Sequence, residues 1–368
     1  MLVKIERKIK KELFMTRREF LVAAGALAAV PSLEVERQET IGATGRDASA
    51  PRYFVWTGRA GDEELKNRYR FLKARGMTGV FLDGYHQPDI EAINEAGLEA
   101  HIWMWTTNRG DAWIREHHPD WYMVARTGES CFDQPPYVDY YRWVSPVIPG
   151  VRTYLKERVD ELASKEGVAS VHLDYVRYPD VILPRDLWET YGLDQTEELP
   201  RYDFCYSDHT CQAFKELSGR DPRQIEHPSR DQEWIAFRQQ TVTTLVADLA
   251  STIRRKGKEV TAAVFPTPSL ARKICRQDWD KWSLDLYLPM VYHSFYRESV
   301  NWIGDCVREN IQATTQPMAA GLYMPAFKDP KELSLAMSLV HLRGGVGVSL
   351  FGNVSDEMWS AFEEARWA

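Results

Sequence analysis

The amino-acid sequence predicts a closed barrel of eight parallel strands, each followed by a helix, and three observations lead there. From Pro51 onward, short β-rich runs alternate with longer amphipathic ones, and eight such cycles can be counted. Several of the runs end in aromatic or charged residues and then a proline, which removes a ladder donor and stops the strand at one edge of the sheet. An open doubly wound sheet, the main rival, calls for a glycine-rich phosphate turn after an early strand, and none is found. Eight β-then-α units close into a single (β/α)8 barrel, placed at residues 51–368.

The strands are expected at residues 53–57, 78–83, 100–105, 168–173, 259–265, 285–292, 318–323 and 346–351. Helices are expected at 62–75, 88–96, 151–165, 234–255, 300–313, 330–342 and 356–366, several of them closed by a glycine such as Gly76, Gly97 or Gly257. The fourth helix shows the clearest 3.6-residue period, through Phe237, Val242, Leu245, Leu249 and Ile253. Residues 179–230 read as one long loop after the fourth strand, an insertion of the kind that builds a cleft or lid.

Ahead of the barrel, residues 4–12 are basic, and Arg17 and Arg18 precede Phe20, Leu21 and an Ala/Gly-rich segment to Val30. That segment is too short for a resident membrane span. Its pattern resembles a twin-arginine export signal, so residues 1–50 are read as a signal and polar linker, and the mature chain as periplasmic or secreted. The net charge of −7 comes from interspersed acids and bases, which argues against a nucleic-acid or membrane partner for the mature chain. Five cysteines cannot all pair internally. Cys205 and Cys211 are close enough to form a disulfide or share a metal, but buried free thiols are the expectation for most of the five. No spacing marks a zinc module, and neither metal nor redox cofactor is expected.

In a barrel of this kind the carboxyl ends of all the strands converge on one mouth. The first contributes Trp56; the second Asp83, Tyr85 and His86; the third Trp103, Trp105 and Asn108. The fourth gives Asp174, Tyr175 and Arg177, the sixth Tyr292 and His293, and the seventh Tyr323. Aromatic walls with a few carboxylates suit a carbohydrate, whose C–H faces stack on rings while its hydroxyls take hydrogen bonds. Trp56, Tyr85, Trp105, Tyr175, Arg177, Tyr292, His293 and Tyr323 are the candidate substrate-binding residues.

Asp174 and Asp83 are the candidate catalytic residues. Arg177 lies close enough in sequence to hold Asp174 as an anion, able to act as nucleophile, as base for water, or as partner of an oxocarbenium-like state. A plain Asp174–Arg177 salt bridge competes with that reading. Asp83 reads as a proton donor, a sugar ligand or the cap of the next helix. His172 alternates with Asp174 and reads as a barrel-core histidine. No nucleophile elbow, phosphate loop or metal-binding helix competes.

The residues around His172–Pro179, Phe204–Asp208, Gln277–Trp279 and Leu288–Tyr292 together resemble the glycosyl-hydrolase-like family 10 proteins, over nearly all of residues 51–366. The resemblance implies a (β/α)8 barrel and an exported enzyme cleaving glycosidic bonds in a poly- or oligosaccharide. By the same analogy Asp174 would be the nucleophile, yet the fifth, sixth and seventh strands end without a second carboxylate. The acid would then come from Asp83, or from Asp180, Asp203 or Asp208 in the long loop. A further alternative is a chitinase-type arrangement, in which Asp174 is itself the acid and a substrate acetamido group attacks. A carbohydrate-binding barrel without catalysis is the rival from another class.

Overall fold

The computed structural model describes residues 50–60 and 65–367, so the basic N-terminal segment with Arg17 and Arg18 lies outside the described residues. The order is β1 (Arg52–Thr57), α1 (Leu65–Ala74), β2 (Gly79–Asp83), α2 (Gln87–Glu95), β3 (Glu99–Trp105), α3 (Ala112–His117) and α4 (Pro149–Ala163). There follow β4 (Val168–Asp174), α5 (Asp208–Ser218), α6 (Gln232–Arg254), β5 (Glu259–Val264), α7 (Pro268–Cys275) and β6 (Leu286–Pro289). The chain closes with α8 (Asn301–Ala313), β7 (Ala319–Tyr323), α9 (Pro330–Leu342), β8 (Gly347–Phe351) and α10 (Asp356–Ala365).

All eight strands are parallel, in the order β6-β5-β4-β3-β2-β1-β8-β7. Single bridges from Tyr287 to Met318 and from Met290 to Gly321 join β6 to β7, so the barrel is nearly closed. Alternation sorts the side chains. Phe54, Trp56, Phe81, Leu286 and Leu288 fill the interior, while Val55, Val80, Val171, Leu173 and Val260 belong to the larger core shared with the helices. The interior also holds a polar ladder, with His101 bonded to Ser170 at 2.7 Å and His172 to Thr261 at 2.8 Å. At the opposite end from the mouth, Arg52 ties Glu259 at 3.0 Å and Glu99 at 3.4 Å. Gly347 is required there, because a Cβ would sit 1.7 Å from the Arg52 carbonyl oxygen.

Two expectations change. The long loop contains α5, capped by the Ser207 hydroxyl and stopped by Gly219 in the left-handed region at φ 78°. Its apolar face, with Cys211 and Phe214, packs on Trp234 and Phe237 of α6. The sixth strand is half its expected length: after Pro289 the Met290 N–H still bonds Val264, but Val291 turns to the Gly321 carbonyl, and Tyr292 leaves the ladder. All five cysteines are free and buried, so Cys205 and Cys211 form no disulfide. No helix among the described residues is long and apolar enough to cross a membrane.

Candidate active site

At the end of β4 the interior face carries Ser170, His172 and then Asp174, while Val171 and Leu173 face the helices. Burial keeps the His172 ring neutral, its pKa pushed well down by desolvation and then by His101. Asp174 is buried too, and is held by two donors. The Trp103 indole N–H reaches its Oδ2 at 2.8 Å and the Tyr175 backbone N–H its Oδ1 at 2.6 Å. Tyr175 itself is in the left-handed region, φ 49°, where the chain turns out of the strand. Such a conformation costs about 1–3 kcal/mol in a residue with a side chain. Here the Thr107 hydroxyl and N–H, both bonded to the Tyr175 carbonyl, keep it in place.

The expected pairing of Asp174 with Arg177 is corrected. The Arg177 guanidinium bonds Asp180 at 2.9 Å and the Tyr178 carbonyl at 3.0 Å, and stacks on Trp143 and Phe265. Burial alone would pull the guanidinium down, and the Asp180 carboxylate together with Cys275, Tyr141 and Tyr175 more than offsets this. Asp174 is left without a bonded cation, and its pKa moves up, the reverse of the expected direction. Desolvation is the largest cause; the Trp103 and Tyr175 donors and the charge of Arg177 oppose it, and the negative charge of Asp83 adds to it.

A cavity of about 460 Å3 opens over Asp174. The strand ends supply Trp56, Trp103, Trp105, Tyr292 and Phe351 to its wall; the insertion after β4 supplies Leu183, Leu187 and Tyr191; the segment before α4 supplies Tyr140 and Tyr141. The insertion is tied across the mouth to the turn after β6 by Asp186 and Arg297, 3.0 Å apart. Tyr292 is desolvated and also feels the Asp174 charge, which pushes its phenol well above the usual range.

The cavity thus gathers Asp174, Trp56, Trp105, Tyr175, Arg177 and Tyr292. Tyr323 stands behind this wall, its ring 5.6 Å from that of Tyr292. Tyr323 does not itself line the cavity, and neither do three more of the candidate residues, His293, Tyr85 and Asp83. His293 packs against Phe327 at 5.3 Å. The Tyr85 ring lies under Lys165, outside the barrel. Asp83 is exposed at the rim, with partial burial raising its pKa against the pull of Arg59. It does not cap α2, whose cap position is His86.

The alternative acids are also accounted for. Asp180 is paired with Arg177, Asp203 with buried Arg238, and Asp208 with Arg223 on the surface. Gln277 is structural, its Oε1 accepting the Phe265 N–H at 2.9 Å. Sequence reasoning missed Trp103 as the partner of Asp174, although it shares the face of Trp105 in the period-two alternation of the strand. Among the described residues, no group of three or more His, Cys, Asp or Glu side chains gathers as a metal site.

The family model of the glycosyl hydrolase-like 10 proteins matches residues 87–325, well over half of the chain. The chain belongs to this family. No curated protein matches the sequence of this glycosyl hydrolase-like 10 member. Its fold is similar to the glycoside hydrolase domain of PgaB (BpsB) from Bordetella bronchiseptica, with TM-score 0.62 at 12% identity, over 86% of this chain and 97% of that one. It is likewise similar to the catalytic domain of a β-amylase from Paenibacillus polymyxa, with TM-score 0.63 at 12% identity, over 85% of this chain and 97% of the other. A β-galactosidase from Halorubrum lacusprofundi gives TM-score 0.64 at 13% identity, over 85% of this chain and 57% of the other. At such identities the likeness is one of fold.

Proposed function

We propose that this glycosyl hydrolase-like 10 protein hydrolyses O-glycosidic bonds in a poly- or oligosaccharide, with Asp174 as the proton-donating carboxyl group. The observation that carries the reading is the position of Asp174: buried beneath an aromatic cavity at the barrel mouth, gripped by Trp103 and Tyr175, with its pKa raised by desolvation. A raised pKa shifts the carboxyl group toward the protonated form that a general acid needs. In the reaction the Asp174 proton passes to the glycosidic oxygen as the bond to the anomeric carbon breaks, and the departing sugar leaves as an alcohol. Water then bonds the anomeric carbon and its proton restores the carboxyl group, unless a group of the substrate itself attacks first. The Tyr292 phenol sits in the same cavity to bond the ring or the attacking oxygen.

The single-acid form of the mechanism follows from the other carboxylates. Asp180 lines the cavity but is bound to Arg177, and Asp83 is out at the rim. The same fact favours the rival reading, a barrel that binds carbohydrate without cleaving it. Product release from a panel of plant, algal and microbial polysaccharides and aryl glycosides, run beside Asp174→Asn, separates them. Sugar released by wild type alone supports the hydrolase; binding without release by either supports the rival.

Export through the N-terminal arginine-pair segment, to act on polysaccharide outside the inner membrane, belongs to the same proposal. Replacing Arg17 and Arg18 by Lys should leave the protein in the cytoplasmic fraction of a bacterial host. Unchanged export of that variant would remove this part of the reading.

A further inference from the structure

On the outside of the barrel, away from the mouth, a cavity of about 610 Å3 lies between α6 and the segment that leads into β6. Ala247 and Ala250 give it a floor of methyl groups, and buried Trp282 gives it a wall. Three cations line it: Arg254 and Arg255 at the end of α6, and Lys281 from the other segment. The hydroxyl residues Thr243, Ser251 and Ser283 complete the polar lining, and among the described residues no Asp or Glu belongs to it. The carboxylates nearby are already engaged. Asp285 accepts the Val260 N–H at 2.8 Å and meets Arg254 at 3.3 Å, while Asp280 is bound by Arg272 and lies 3.5 Å from Lys281. Arg255 meets hydroxyls instead, those of Ser251 and Thr252 at 3.1 Å each, so its charge has no carboxylate partner among the described residues. Cations on the last turn of a helix complement its dipole, which accounts for Arg254 and Arg255 taken alone. It accounts neither for Lys281, which comes from another segment, nor for a cavity on which all three converge.

We propose that this cavity is an oxyanion site that takes a phosphate group, free or carried on a larger molecule. In a chain of net charge −7, a cavity lined by three cations and no acid draws a negative ligand out of solution. The donor set selects the kind of anion. A guanidinium sets two parallel N–H donors against two oxygens of one anion, and an ammonium adds a compact charge. Hydroxyls donate to the oxygens that remain: Thr243 accepts the Trp282 indole N–H at 3.3 Å, which leaves its own O–H for a ligand. A phosphate group, with about two charges and three free oxygens, matches these donors better than a carboxylate with one charge and two oxygens. The volume is within the range of small-ligand sites, so the group need not arrive alone. None of the residues that line this cavity lines the one over Asp174, and its ligand binds whether or not the hydrolase reading holds.

Inorganic phosphate and sulfate, titrated calorimetrically into the full chain at low ionic strength, test the site directly. Two variants are run beside wild type: Arg255→Gln with Lys281→Gln, and Arg308→Gln, which removes an exposed arginine of α8 that pairs with Asp305. One equivalent of anion should bind wild type and Arg308→Gln alike. The double variant should bind at least about tenfold more weakly, the least expected from two lost charge-assisted contacts. No saturable binding up to about 10 mM of either anion, or binding that survives the double variant in protein that melts like wild type, would overturn the site. Vesicles of phosphatidylglycerol, with phosphatidylcholine vesicles as control, then decide where the group comes from. Sedimentation of wild type with the anionic vesicles, lost in the double variant, assigns a lipid headgroup. Wild type left in the supernatant, or sedimentation that the double variant keeps, assigns a soluble phosphate once inorganic phosphate has been seen to bind.

Discussion

Asp83 and Asp174 close β2 and β4, the two strands that flank β3 in the barrel. Each is the last residue of its strand, and Trp103, which pairs with Asp83 in the β2–β3 ladder, gives its indole N–H to Asp174 instead. The difference between them lies in what surrounds the strand ends. β2 has five residues and stops at the rim, where Asp83 is exposed; β4 has seven and delivers Asp174 to the floor of an aromatic cavity. Two equivalent positions in a topology therefore carry one carboxylate exposed at the rim and partly desolvated, and one buried in the cavity, and desolvation raises the pKa of both.

The largest effect that could break this contrast is on turnover. Asp174→Asn should lower kcat by about 10²- to 10⁴-fold, the usual contribution of a positioned acid. Steady-state kinetics on the best substrate of the panel decides it, and near wild-type turnover would leave Asp174 without its role.

Next in size is the ion pair that took Arg177 away from Asp174. Arg177→Met strands the buried Asp180 carboxylate and should cost about 3–5 kcal/mol of stability, read from denaturant midpoints. Adding Asp180→Leu should recover most of that loss. An undiminished deficit in the double variant would mean that Arg177 serves some other buried group.

Smaller shifts come through the titration of Asp174. Trp103→Phe removes a donor that favours the anion, so the pKa of Asp174 should rise further. As Asp174 must be protonated to act, the alkaline limb of the kcat profile moves to higher pH. Stability has its own sign. A carboxyl raised in the folded state contributes stability that is fully present below the ordinary carboxylate value of about 4 and is lost as pH rises through the folded value. The melting temperature of wild type relative to Asp174→Asn should accordingly fall as pH rises through that window; a flat difference would mean that Asp174 titrates normally. The smallest effect is reserved for the rim: Asp83→Asn should change kcat by less than about tenfold, through loss of a like charge near Asp174.

From the sequence come the barrel, its eight strands to within a residue or so at most ends, and the part of the mouth formed by Trp56, Trp105, Asp174, Tyr175, Arg177 and Tyr292. Those features are local, set by period, by the prolines and glycines that punctuate the strands, and by parity along each strand. Helix α5 is legible in the same way, from the Ser207 cap to Gly219, although it lies inside an insertion. Tertiary structure alone decided who pairs with whom. Arg177 is three residues from both Asp174 and Asp180, and nothing in that spacing chooses between them; the turn at Tyr175 and the stacking on Trp143 and Phe265 do. The sign of the Asp174 shift follows from that choice, since a buried carboxylate without a bonded cation is raised by desolvation, and desolvation is a property of the closed barrel rather than of any stretch of chain.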